Sequence, residues 1–220
     1  MSERRTDGRT AAVVVVGASA GGVEALKQLV RGLPAGYGSA VLIVLHVPPA
    51  GTSVLPQILE RAGRLPSAHA RDGEPLEPGR IYVAPPDFHL TVEADTIRVV
   101  DGPKENGVRP AIDALFRTAA HAYGERVAGV VLSGSLADGT AGLAAVKEAG
   151  GLTVVQNPAE ASYAAMPSSA IDLVGPDHVL PVAAIAALLA GVATPGGAEP
   201  VAHAVPAFDS GPTPDEERAS

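Results

Sequence analysis

The apolar run Ala11-Ala12-Val13-Val14-Val15-Val16 ends in Gly17-Ala18-Ser19-Ala20-Gly21, and from Val23 to Val30 apolar residues recur at helical spacing. The first run is β-branched and too short for a helix, so it reads as a buried strand. Strand, sharp Gly-x-Ser-x-Gly turn and helix is the context that lifts a serine hydroxyl clear of a sheet. There it can attack a carbonyl while nearby backbone N–H groups stabilise the oxyanion. An ordinary βα turn with Ser19 capping the helix is the plain alternative.

The same alternation continues along the chain. Strands are predicted at 12–17, 40–45, 127–132 and 152–155, and helices at 20–32, 53–62, 111–123, 139–149 and 182–190. Strands that are continuous apolar runs between helices predict an α/β fold, a doubly wound, mainly parallel sheet with helices on both faces. Between 80 and 101, Ile81-Tyr82-Val83 and the alternating stretches around Leu90 and Ile97 predict short strands and a small β-hairpin. Residues 1–10 are expected to form a polar arm, 11–191 the folded domain, and 192–220, rich in Pro, Gly and Ala and then acidic, a disordered tail. No internal repeat is evident.

With 46% hydrophobic residues but 3% aromatics in 220 residues, Val, Leu, Ile and Ala must build the core. The formal net charge is −8 and no basic cluster lies beyond the N-terminal arm, which argues against a nucleic-acid partner. Cysteine is absent, which excludes disulfides, thiolate metal sites and a Cys nucleophile and fits a cytoplasmic setting. No signal peptide and no membrane-inserted segment is expected, because the apolar run after Thr10 is far too short to span a bilayer.

Three polar residues close three apolar runs. Val41-Leu42-Ile43-Val44-Leu45 ends in His46 before Val47-Pro48-Pro49, and Val127 to Leu132 runs into Ser133-Gly134-Ser135-Leu136-Ala137-Asp138-Gly139 ahead of a helix. Ser19, His46 and Asp138 would then all lie beyond the carboxyl ends of parallel strands, where open α/β sheets build their sites. A nucleophile, a base and an acid there make a triad, which is defined by geometry and not by chain order. Taken singly, His46 could be a plain strand-end residue and Asp138 a helix cap. Ser133 and Ser135 are alternative nucleophiles, Asp72, Asp87, Asp101 and Asp113 alternative acids, and His69, His89, His121 and His178 read as surface or packing residues.

Competing uses of the glycine loop fit less well. A dinucleotide fingerprint wants glycine where Ser19 stands and an acid where His46 stands. A Walker A loop wants Gly-Lys-Ser/Thr, and Gly22 is followed by Val23. Ordinary α/β-hydrolases carry strands before the turn and place the acid before the histidine. A nucleotide-binding α/β domain remains the runner-up among folds with such a turn.

From about Val13 to Gly191 the chain resembles the catalytic domain of the bacterial chemotaxis-receptor protein-glutamate methylesterases. The landmarks are Gly17-Ala18-Ser19-Ala20-Gly21-Gly22, His46-Val47-Pro48, Asp72-Gly73-Glu74 and Ile81-Tyr82-Val83-Ala84-Pro85. Further on come Arg109-Pro110-Ala111-Ile112-Asp113, Leu132-Ser133-Gly134 with Asp138-Gly139, Gln156-Asn157-Pro158 and Met166-Pro167. The resemblance implies Ser19 as nucleophile, His46 as base and Asp138 as its orienting partner. It makes Ala20 and Ser135 candidates for the oxyanion hole and Arg109 and Met166 candidates for substrate binding. It implies hydrolysis of glutamyl methyl esters on receptor signalling-domain helices or another methylated protein, glutamine deamidation in some members, and neither metal nor cofactor. Two departures stand out. A receiver domain, usual in the family, is not expected in a chain of this length. The glycine-rich Gly-Met-Gly-x-Asp pattern reads Gly134-Ser135-Leu136-Ala137-Asp138 here, so Leu136 would strain the loop if a positive φ were required. A catalytically weak binding module of the same fold is the alternative that this departure raises.

Overall fold

The computed structural model describes residues 12–47 and 53–193. In chain order the strands are β1 (Val13–Ala18), β2 (Ala40–Leu45), β3 (Ser67–His69), β4 (Ile81–Val83), β5 (His89–Glu93), β6 (Thr96–Val100), β7 (Val127–Val131), β8 (Leu152–Gln156) and β9 (His178–Leu180). The helices are α1 (Gly22–Gly32), α2 (Leu55–Ala62), α3 (Ile112–Tyr123), α4 (Thr140–Glu148), α5 (Ala165–Val174) and α6 (Val182–Val192).

Both faces of the central strands are buried, and the pleat sorts their side chains between two apolar layers. Val14, Val16, Val41 and Ile43 meet α1, α2 and α6 on one face. Val13, Val15, Leu42 and Val44 meet α3, α4, α5 and the hairpin on the other. Seven strands pair in parallel in the order β3-β4-β2-β1-β7-β8-β9, while β5 and β6 form an antiparallel hairpin. The expected doubly wound sheet with a small hairpin is the fold observed.

From β1 the chain winds first toward β2 and β4, then crosses to β7, β8 and β9 on the other side. The winding therefore reverses between β1 and β7, and the crevice beyond their carboxyl ends is the switch point at which such folds bind ligands. Gly17 closes that crevice from below. A Cβ there would lie 2.3 Å from Ile112 Cγ2, so the first residue of α3 sits directly on the end of β1. Gly17→Ala is expected to destabilise the fold by about 1–3 kcal/mol through overpacking, read as a lower denaturant midpoint. An unchanged midpoint would mean that Ile112 yields freely.

The long elements lie within two residues of their expected places. Three short or atypical ones, β3, β9 and α5, are additional. β3 and β9 are three-residue edge strands without an apolar run, and α5 carries Pro167 in its first turn, where proline is tolerated but the periodicity is weak. α6 extends through Val192, so the expected domain boundary after Gly191 falls inside its last turn. The arm at 1–10 and the tail beyond residue 193 lie outside the described residues. Among the described residues no helix is long and apolar enough to cross a membrane.

Candidate active site

Ser19 follows β1, His46 follows β2 and Asp138 lies in the loop after β7, so three strand ends deliver the three side chains to one place. His46 Nδ1 lies 3.3 Å from Ser19 Oγ, and His46 Nε2 lies 2.8 Å from Asp138 Oδ2. An ionised carboxylate only accepts, so Asp138 assigns the hydrogen to Nε2 and leaves the Nδ1 lone pair facing the serine hydroxyl. The ring nitrogens face their partners in the reverse of the chymotrypsin arrangement.

The Asp138 side chain is 1% exposed and that of His46 11%. Asp138 Oδ2 also accepts the Ile112 N–H at 2.7 Å, and Oδ1 accepts the Asp113 N–H at 3.3 Å and Asn106 Nδ2 at 3.1 Å. It therefore satisfies the N–H groups in the first turn of α3 that have no partner within the helix, where helix polarity favours an anion. Burial pushes the Asp138 carboxyl up, but the hydrogen bonds from His46, the Ile112 N–H and Asn106 more than offset this, and its pKa lies below the ordinary carboxylate value. Asp113 behaves oppositely. Burial raises its carboxyl, the Gly142 N–H opposes this, the charge of Asp138 adds to it, and the net direction is upward.

The turn that carries Ser19 is pinned to the loop after β7. The Ser19 N–H donates to the Ser133 carbonyl at 2.9 Å, and the Ser133 hydroxyl donates to the Ala20 carbonyl at 2.8 Å and accepts the Tyr163 N–H at 3.0 Å. Ser133 is thus buried and engaged in holding two loops together, which removes it as an alternative nucleophile. Gly21 adopts φ 72, and a Cβ on it would meet Ser162 at 2.7 Å, so only glycine lets segment 162–163 close on the turn. Among the described residues the N–H groups of Ala20 and Ser135, the two oxyanion candidates, have no hydrogen-bond partner. They are available to a ligand oxygen.

Leu136 does not strain its loop. Among the described residues, the non-glycine residues with positive φ are Asp87, Ala94 and Asn106. The Leu136 side chain instead stands 55% exposed beside Asp138, and Tyr163, at 51%, is exposed on the neighbouring loop. Behind Asp138 a groove of about 670 Å³ is lined by Leu136, Ala141, Ala144 and Leu173, with Asn106 and Asp113 also on its wall.

The two substrate-binding candidates both have partners within the chain. Arg109 is committed inside the chain: it pairs with Asp87 at 2.9 Å and donates to the Asp101 and Gly102 carbonyls at 2.7 and 2.8 Å. Met166 is fully buried against Gly134, whose Cβ, if present, would lie 2.7 Å from the Met166 sulfur. Arg109 braces the loop before α3, with its side chain 19% exposed, and Met166 supports the loop after β7. Among the alternative acids, Asp72 pairs with Arg98 and Asp87 with Arg109, whereas Asp113 adjoins the triad. His89 is held between the Pro103 carbonyl and the Ala111 N–H, the packing place expected of it. Asn106, which contacts two acids at once, carries no motif of its own, and sequence reasoning missed it. Among the described residues no cluster of His, Asp and Glu could hold a metal ion.

A serine, a histidine and an aspartate in sequence of hydrogen bonds, at the switch point of a doubly wound sheet, make the site one of the serine-hydrolase class. The family model described as CheB methylesterase matches residues 14–189, and the chain belongs to that family. A Leptospira interrogans relative is 40% identical over 176 residues, which cover 80% of this chain and 91% of its own length. Relatives from Anaeromyxobacter dehalogenans and Pseudomonas aeruginosa, both named protein-glutamate methylesterase/protein-glutamine glutaminase 2, are 39% and 38% identical. Those matches cover 77% and 82% of this chain, which spans about half the length of each, 50% and 52%. The crystal structure of the Thermotoga maritima CheB methylesterase catalytic domain superposes with a TM-score of 0.78 at 33% identity, covering 82% of this chain and 98% of that one.

Proposed function

We propose that the chain is a serine esterase that hydrolyses glutamyl methyl esters on a receptor signalling-domain helix or another methylated protein, releasing methanol. The observation that carries this reading is the placement of His46, bonded to Ser19 through one ring nitrogen and to Asp138 through the other. As Ser19 Oγ attacks the ester carbonyl, Nδ1 takes its proton and Asp138 stabilises the imidazolium. The carbonyl oxygen gains charge, and the unpartnered N–H groups of Ala20 and Ser135 are the donors suited to hold it. The imidazolium returns the proton to the methoxide oxygen, methanol leaves, and a glutamyl ester of Ser19 remains. Water, deprotonated by His46, cleaves that ester and restores glutamate and the serine.

A glutamine side chain enters the same sequence with ammonia as the leaving group, in keeping with the paired names of the relatives. Exposed Leu136 and Tyr163 give the rim an apolar surface suited to a protein substrate. A nucleotide-binding reading loses ground, because the strand-end position where it needs a ribose-binding acid holds His46, already bonded to Ser19 and Asp138. Purified protein incubated with a methylated receptor fragment should release methanol, and with its glutamine form ammonia. Release of neither from any methylated receptor fragment, at any pH from 6 to 9, would overturn the proposal in favour of the binding module.

A further inference from the structure

Asn106 sits in the loop between β6 and α3 with φ 51, a left-handed conformation that asparagine tolerates. Both hydrogens of its side-chain amide are used: Nδ2 donates to Asp113 Oδ2 at 2.9 Å and to Asp138 Oδ1 at 3.1 Å. The two acids it bridges exchange helix caps. Asp138, just ahead of α4, accepts the N–H groups of Ile112 and Asp113 at the start of α3. Asp113, in the first turn of α3, accepts the N–H groups of Gly139 and Gly142 at the start of α4, at 2.9 and 2.6 Å. The Asn106 amide is the neutral donor between two buried carboxylates that face each other.

We propose that Asn106, with Asp113 behind it, is a positioning residue that fixes the rotation of the Asp138 carboxylate, so that Oδ2 meets the Nε2–H of His46. Rotation about the last bond of an aspartate side chain is broad, and hydrogen bonds must set it. With Oδ1 held by Asn106 and by the Asp113 N–H, Oδ2 is left to His46 and the Ile112 N–H. That rotation holds the Nε2–H tautomer, and the tautomer keeps the Nδ1 lone pair on Ser19. Asp113 contributes by holding Asn106 in place and by anchoring Gly139, next to Asp138. The kinetic part of this claim rests on the esterase reading above, whereas the tautomer part does not.

A merely structural role for Asn106 fits poorly, because its loop is anchored without it. Arg109 holds the carbonyls of Asp101 and Gly102, Glu105 and Val108 exchange backbone hydrogen bonds at 3.2 and 2.9 Å, and Glu105 pairs with Arg117 at 2.8 Å. Glycine suits the backbone at this position, so Asn106→Gly removes the amide without backbone strain.

The test is Asn106→Gly in the full chain, in the wild-type and in the Asp138→Asn background, with two readouts. The first is the nitrogen-15 NMR signature of the His46 ring at a pH where the ring is neutral. The wild type should show the Nε2–H form, and Asn106→Gly a mixture of tautomers in a protein that stays folded, at a melting temperature lowered by the lost donor. The second is kcat for an activated acyl ester, which should fall about 10- to 100-fold with little change in KM, as small misplacements of catalytic groups do. In the Asp138→Asn background the same change should cost less than about threefold, because a residue acting through Asp138 has nothing left to position. The proposal is overturned if the His46 tautomer is unmoved, or if Asn106→Gly costs the same factor in both backgrounds. A wild type without esterase activity but with a tautomer that responds to Asn106→Gly would sink the functional reading and leave the positioning role standing.

Discussion

Ser19→Ala is expected to lower kcat for methyl-ester hydrolysis by about 10⁶-fold, the scale found when a triad serine is removed, while the protein stays folded. The size follows from the mechanism. Without Oγ no acyl intermediate forms, and His46 can at best activate water at a carbonyl positioned for a different attack. The structure explains why stability should be spared. Among the described residues the side chain's one hydrogen-bond partner is His46 at 3.3 Å, whereas the turn is held by backbone bonds that alanine keeps, from the Ser19 N–H to the Ser133 carbonyl and from the Gly22 N–H to the Ser19 carbonyl, both 2.9 Å. Methanol release and mass spectrometry of a trapped acyl-protein check the two halves together. Full activity in the variant would move the nucleophile to Ser135, the remaining serine on the same loop, since the Ser133 hydroxyl is buried and engaged.

What the sequence made legible follows from how strongly each element is over-determined. β1, β2 and β7 are unbroken apolar runs because helices bury both their faces, and each run ends in a polar residue where the sheet ends. The strand-end reading of Ser19, His46 and Asp138 therefore needed no tertiary information beyond a parallel sheet, and the hydrogen bonds among them are consistent with it. The edge strands were illegible for the converse reason. Ser67-Ala68-His69 lies at one margin of the sheet with all three residues half-buried, so no apolar pattern is imposed on it. Arg109 and Met166 were placed by motif alone, and a motif does not say whether a residue touches the ligand or the scaffold. Asn106 shows the limit most plainly. Its partners are 7 and 32 residues away in the chain, and a lone Asn-Gly in a loop reads as an ordinary turn until α3 and α4 are brought end to end. Leu136 shows the reverse, an expected strain that the backbone does not carry.

Asp138→Asn should cost about 10⁴-fold in kcat, the scale seen when a triad aspartate loses its charge but keeps its shape, and it should also flatten the dependence of stability on pH. An asparagine has one acceptor where the carboxylate has two. If its amide nitrogen faces His46, the ring must move its hydrogen to Nδ1, which can then no longer take the serine proton. If its oxygen faces His46, the nitrogen is turned on Asn106 and the Asp113 N–H, two donors left without an acceptor. Stability follows from the two shifted acids, which act in opposite senses. The folded value of Asp138 is lowered, so its contribution is present above the unfolded carboxylate value of about 3.9 and is lost as pH falls through the folded value. Asp113 is raised, so its contribution is present below about 3.9 and is lost as pH rises through its folded value. The wild type should therefore lose stability on both sides of about pH 4 from this pair. In the variant the acid-side loss disappears with the Asp138 carboxyl. The alkaline-side loss shrinks, because Asp113 no longer faces a second charge. Denaturant midpoints from pH 2.5 to 7 would show the flattening. A variant with kcat within tenfold of wild type would reduce Asp138 to a cap for α3, and His46 would then need no acid behind it.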